Sequence, residues 1–240
     1  VSGEPQRFFF VHLQKTGGTA LFQRLRECFG PDAVYPGPAD RGSVEAVLSI
    51  SHLLRRWDDD RGALRVITGH FPFATTAVLG APFATFTVLR DPIERTLSLL
   101  RRRQAIEARF DGLELDAIYE DEALQPIIRN HMVKMLSLRP DELVDVPLTE
   151  PFVADAAHLD AARQNLAAID VVGIQERFDD FCGALEARFG WDLGAPRFAN
   201  RTTPRPASDE LRRRIAVDNA RDVELYEHAR GLAAGSGATG

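Results

Sequence analysis

The run Phe8-Phe9-Phe10-Val11-His12-Leu13-Gln14-Lys15-Thr16-Gly17-Gly18-Thr19 constrains this chain more than any other feature. An apolar stretch passes into a glycine turn, and the turn passes into a helical pattern at Ala20-Leu21-Phe22. Strand, glycine turn and helix start together make a cradle for an anion. Backbone N–H groups at the turn lack partners, and the helix dipole adds partial positive charge. Lys15 brings a full charge to the same place, and Thr16 and Thr19 bring hydroxyls. A phosphate or sulfate is the expected ligand. The order is not that of a Walker A loop, in which the lysine follows the glycines and stands beside a Ser or Thr that holds magnesium.

Around this loop the chain alternates strands and helices. Strands are expected at 7–13, 64–69, 84–89 and 169–174. Helices are expected at 19–28, 44–57, 92–108, 122–138, 154–168, 178–189 and 208–232. Residues 31–42 and 200–206 read as loops. Asp91-Pro92 puts a proline in the first turn of a helix, a favoured start. The alternation predicts an α/β fold, a P-loop-like parallel sheet flanked by helices. Residues 1–232 form a single domain in this reading, and the small residues 233–240 form a disordered tail. In parallel sheets ligands sit beyond the carboxyl ends of the strands. Loop 12–19, His70 and Arg90 all follow strand ends, so all three are expected on one edge.

Composition narrows the function. A net charge of −6 argues against general nucleic-acid binding. No apolar run approaches the ~18–20 residues of a membrane span, and no secretory signal is visible, so a cytoplasmic protein is expected. Cys28 and Cys182 lie far apart and read as reduced core thiols. The six histidines form no zinc pattern, so no metal is expected. Of 29 basic residues only Lys15 and Lys134 are lysines, which leaves 27 arginines and suggests a GC-rich, bacterial genome. Under such a bias a lysine marks a place where a planar guanidinium does not serve.

A second signature is Thr87-Val88-Leu89-Arg90-Asp91-Pro92-Ile93-Glu94-Arg95-Thr96-Leu97-Ser98. Arg90 ends a buried strand and Ser98 lies two turns into the next helix. A guanidinium fork with a hydroxyl suits a phosphate monoester. The two segments resemble the 5′-phosphosulfate loop and the 3′-phosphate motif of sulfotransferases, in particular the heparan-sulfate 6-O type. Asn130 to Leu136 resembles that type's Asn-x-Gln-Thr-Arg-x-Leu, with Met132 in place of glutamine and Lys134 in place of arginine.

The resemblance implies a sulfotransferase fold and transfer of a sulfuryl group from PAPS to the hydroxyl of a carbohydrate-like acceptor, leaving adenosine 3′,5′-bisphosphate. It implies that Gln14, Lys15, Thr16, Gly17, Gly18, Thr19, Arg90, Ser98 and Arg201 bind the nucleotide. Lys15 would supply the cation at the bridging oxygen. The general base is assigned to His70, just past a strand end in Thr68-Gly69-His70-Phe71-Pro72, with His131 in reserve. His12 reads as a structural strand-end residue, and Arg101-Arg102-Arg103 as a solvated helix face. Two alternatives remain open: a P-loop small-molecule kinase or NTPase, with Asp91 as a magnesium ligand, and a non-catalytic nucleotide-binding member of the same fold.

Overall fold

The structure, a computed structural model, describes residues 6–194 and 206–235. Its centre is one five-stranded sheet in the order β2-β3-β1-β4-β5. The strands are β1 (Phe8–Val11), β2 (Val34–Tyr35), β3 (Val66–Ile67), β4 (Ala84–Leu89) and β5 (Val171–Ile174). Every pairing is parallel, with Phe8 opposite both Val66 and Ala84, and Phe86 opposite Val171. The predicted α/β class and parallel sheet are therefore present. β2 was expected to be loop; two residues are too short to show a period.

The helices are α1 (Gly18–Phe29), α2 (Glu45–Leu48), α3 (Ile50–Asp60), α4 (Thr75–Leu79), α5 (Pro92–Ile106), α6 (Leu115–Tyr119), α7 (Gln125–Ile128), α8 (His131–Ser137), α9 (Ala156–Ala168), α10 (Phe178–Phe189), α11 (Asp209–Asp218) and α12 (Ala220–Gly235). Strand alternation sends Phe8 and Phe10 of β1 to one face, where they join Phe86, Val88 and residues of α1 and α10. Phe9 and Val11 face the other way, into a core shared with α3, α5, α8, α9, α11 and α12. A central parallel strand covered on both faces reads as an unbroken apolar run, which accounts for Phe-Phe-Phe-Val.

Three helices expected to be continuous are broken, each by a side chain that caps. At Ser49 the chain leaves α2, and the Ser49 hydroxyl accepts the His52 N–H to start α3. Asp145, far along the sequence, takes the Ser49 hydroxyl and the Ser51 N–H. At Asn130 the backbone turns left-handed (φ 44°) before α8. The Asn130 side-chain oxygen accepts the N–H groups of Arg221 and Asp222 and so caps α12. In return Asp222 accepts the N–H groups of Met132 and Val133 and caps α8. Asn219 separates α11 from α12 and accepts the Asn130 N–H. The helix α12 runs to Gly235, past the 232 boundary expected from sequence.

No helix among the described residues is long and apolar enough to cross a membrane. The chain leaves β1 toward β2 on one side and β4 toward β5 on the other. Such a reversal opens a crevice between the carboxyl ends of the two strands.

Candidate functional site

A cleft of about 510 Å³ lies in that crevice, and its wall includes Gln14, Lys15, Gly17, Gly18, Thr19, His70, Arg90 and Ser98. These residues come from the ends of β1, β3 and β4 and from α1 and α5, so the predicted convergence on one edge is present. Arg201 lies outside the described residues. Thr16 departs from expectation. Its side chain is fully buried and its hydroxyl donates to the Leu13 carbonyl, so it braces the turn from beneath and does not line the cleft.

The turn is tight because its glycines let it be. Gly17 has φ 93°, a conformation that costs glycine little. A Cβ on Gly18 would sit 1.8 Å from His12 Nε2, so the turn and the imidazole share space only because Gly18 has no side chain. No side chain caps α1, and the Ala20 and Leu21 N–H groups bond back to the Gly17 carbonyl. With Ala20 and Leu21 so engaged, the Gly18 and Thr19 ends of the helix and the positive end of the dipole face the cleft. Lys15 is held left-handed at φ 68°, unusual for a residue with a side chain. Its carbonyl accepts Arg90 Nη1 at 3.0 Å.

Charge in the cleft is one-sided. Lys15, Arg90, Arg102 and Arg103 line it, and among the described residues no carboxylate does. Arg101-Arg102-Arg103 were expected to be a solvated face, and Arg102 is exposed while it borders the cleft. Arg102 lies four residues after Ser98, and that helical spacing puts both on one side of α5. Burial lowers the Lys15 pKa, and the nearby Arg102 and Arg90 charges lower it further. Arg90 is also lowered, chiefly by burial, with Glu176 opposing. Glu176 is engaged by the Asp91 N–H and the Tyr226 hydroxyl.

The histidines are arranged by two hydrogen bonds. His70 Nδ1 lies 3.0 Å from the His12 carbonyl. A carbonyl only accepts, so Nδ1 carries the proton and Nε2 keeps the lone pair. Desolvation lowers the His70 pKa, partly offset by the bond to His12, so the ring stays neutral. His12, read from sequence as structural, lines the cleft. It stacks on Phe10 and lies 4.4 Å from the His70 ring. Burial, followed by His70 and Lys15, holds it well below the usual histidine range. His131 is different. It is fully buried, and its Nε2 accepts the Gln14 N–H at 3.2 Å. That lone pair is already committed, which removes His131 as a base.

Lys134, in the segment that resembles the family, and Asp91, the magnesium ligand of the kinase alternative, both serve the scaffold. Lys134 is buried, and its ammonium donates to the carbonyls of Leu148 (3.1 Å) and Glu150 (2.5 Å), with Pro126 at 3.5 Å. A compact tetrahedral donor suits carbonyls that converge from several directions. Desolvation lowers its pKa to about 8, Glu150 opposing. Asp91 Oδ1 accepts the Ile93 and Glu94 N–H groups and caps α5.

Fold and cleft define an α/β protein whose all-parallel sheet carries a cationic, glycine-turned cleft at the carboxyl ends of its central strands. Comparison with models of known protein families and with curated protein sequences finds no match for the chain.

Proposed function

We propose that the chain is a PAPS-dependent O-sulfotransferase with the fold of that family. The carrying observation is the cleft without carboxylates, which brings Lys15 and the uncapped start of α1 together with Arg90 and Ser98. PAPS has an anionic group at each end of its ribose, and the two cationic loci suit the two groups. Leu99 and Ile106 offer the nucleoside an apolar wall.

In the reaction the acceptor oxygen attacks sulfur in line while the bond from sulfur to the bridging oxygen breaks. His70 Nε2 takes the hydroxyl proton, because its other nitrogen is fixed as a donor to the His12 carbonyl. Lys15 stabilises the charge that develops on the bridging oxygen, and first-turn N–H groups of α1 bind the equatorial oxygens. The products are the sulfated acceptor, adenosine 3′,5′-bisphosphate and the proton on His70. The acceptor is a small-molecule or glycan hydroxyl.

Calorimetric titration tests the reading, with adenosine 3′,5′-bisphosphate in one arm and ATP with magnesium in the other. Tight, metal-independent binding of the bisphosphate and weak binding of ATP is the expected result. A preference for magnesium-ATP overturns it in favour of a kinase.

A further inference from the structure

Lys15 has a left-handed backbone (φ 68°) in the middle of the anion turn. Such a conformation is costly for a side-chain-bearing residue and persists only where its surroundings over-determine it. Two side chains from distant parts of the chain grip the backbone on either side of Lys15. On the carboxyl side, Arg90 donates to the Lys15 carbonyl. On the amino side, His131 Nε2 accepts the Gln14 N–H at 3.2 Å, across 117 residues of sequence.

We propose that His131 is a positioning residue for the anion turn: its Nε2 holds the Gln14 N–H so that Lys15 keeps its left-handed backbone and its ammonium faces the cleft. The inference rests on the nucleotide reading for its consequence, though not for its geometry. His131 has a fixed place from which to act. It is the first residue of α8, whose next two N–H groups end on the Asp222 carboxylate.

Packing alone does not explain a histidine here. The ring is fully buried, and its Nδ1 has no protein partner among the described residues. Because Nε2 accepts, Nδ1 must carry a proton, so the site contains a desolvated N–H donor. Methionine or leucine would fill similar space without that cost. What the imidazole supplies, and an apolar side chain does not, is the acceptor for Gln14. The same bond fixes which tautomer is present and keeps the ring from acting as a base.

The test compares His131→Gln, whose side-chain oxygen reaches about as far as Nε2, with His131→Asn, which is too short, and His131→Met, which has no comparable acceptor. Two quantities are read on full-length protein: hydrogen exchange at the Gln14 amide and affinity for adenosine 3′,5′-bisphosphate. His131→Met and His131→Asn are expected to speed Gln14 exchange and weaken the bisphosphate by about tenfold or more, the scale of one net hydrogen bond. His131→Gln is expected to stay within about threefold of wild type in both, a difference well under one such bond. Should His131→Met fail to fold, the glutamine–asparagine pair alone decides. Equal behaviour of the glutamine and asparagine variants overturns the proposal, as does an unaltered Gln14 exchange rate in a folded His131→Met protein. If wild type binds no bisphosphate the nucleotide reading falls, and Gln14 exchange still reports whether His131 grips the turn.

Discussion

Two clefts of similar size open on this molecule, and their walls differ. The one beside the glycine turn measures about 510 Å³ and, among the described residues, is lined by four cations and no carboxylate. The other, about 560 Å³, runs along β5 between α9, α10 and α12. Its wall is largely aliphatic, and its charges balance: Asp170 and Asp180 against Arg177 and Arg188. These four already satisfy one another, Arg177 with Asp180 and Arg188 with Asp170. Volume therefore does not separate the two clefts. What separates them is where the compensating charge sits: the β5 cleft pairs its ions within its own wall, whereas the carboxylates nearest the four cations, Glu107 on Arg103 and Glu176 near Arg90, lie outside the lining of the other, in a protein of net charge −6.

The largest expected effect that sharpens the contrast is on catalysis. His70→Ala should lower turnover by about 10²–10⁴-fold if the imidazole is the base. Lys15→Ala should also lower turnover, and bisphosphate binding should survive the histidine change. Both are read as acceptor-dependent release of bisphosphate from PAPS, and an unchanged rate in His70→Ala removes it from the chemistry. Arg90→Lys should weaken the bisphosphate by roughly tenfold, since a point charge replaces a fork and one charge-assisted bond is lost. Ala184→Leu in the β5 cleft should leave that affinity alone. Weakening by the leucine in place of the lysine would reverse the assignment of the two clefts.

The two lysines make a smaller comparison. Lys134→Met strips the donor from the buried Leu148 carbonyl, worth about 1–3 kcal/mol when orphaned, and from the part-buried Glu150 carbonyl, and should lower the unfolding midpoint clearly. Lys134→Arg should also destabilise, because a planar fork does not match that arrangement of acceptors. Denaturant unfolding reads both, and a neutral Lys134→Met would show that the ammonium braces nothing.

The smallest effects are pH effects. His12, His70 and His131 all have lowered pKa values in the folded state, chiefly by desolvation. The unfolded chain therefore binds more protons below about pH 6.5, and stability should rise as pH climbs toward that value and fall on acidification. Asp222 opposes this, since burial raises its carboxyl to about 6 and folding favours its protonated form. Lys134, lowered to about 8, should add a second gentle rise above that pH that disappears in Lys134→Met. Thermal midpoints across pH 5–10 in wild type and variant would show both windows, and a flat profile would remove the titrating groups from the account.

The parts legible from the sequence were those with local causes. β4 and α10 have the predicted bounds, and Asp91-Pro92 does open α5. The glycine turn after β1 was legible because its strand, glycines and helix are contiguous. What escaped has causes far away in the chain. Nothing near Ser49 announces Asp145, and nothing near Asn130 announces Asp222, although Pro126 inside the expected helix 122–138 was a local sign that it divides. At the site, Lys15, Arg90, Ser98 and His70 come together as expected. Arg102 is exposed, as a solvated helix face requires, and it also borders the cleft on the side of Ser98. His12 and His131 were assigned by neighbourhood in sequence, and their roles depend on which backbone groups face them across the fold.

The exchange of caps between Asn130 and Asp222 has a consequence for the order in which the molecule is completed. A nascent chain makes the anion turn early and Asp222 late. Until Asp222 emerges, the start of α8 has no carboxylate to hold it, and His131 has no settled position from which to reach Gln14. The glycine turn is thus braced by a histidine whose own helix waits on a carboxylate made long after it.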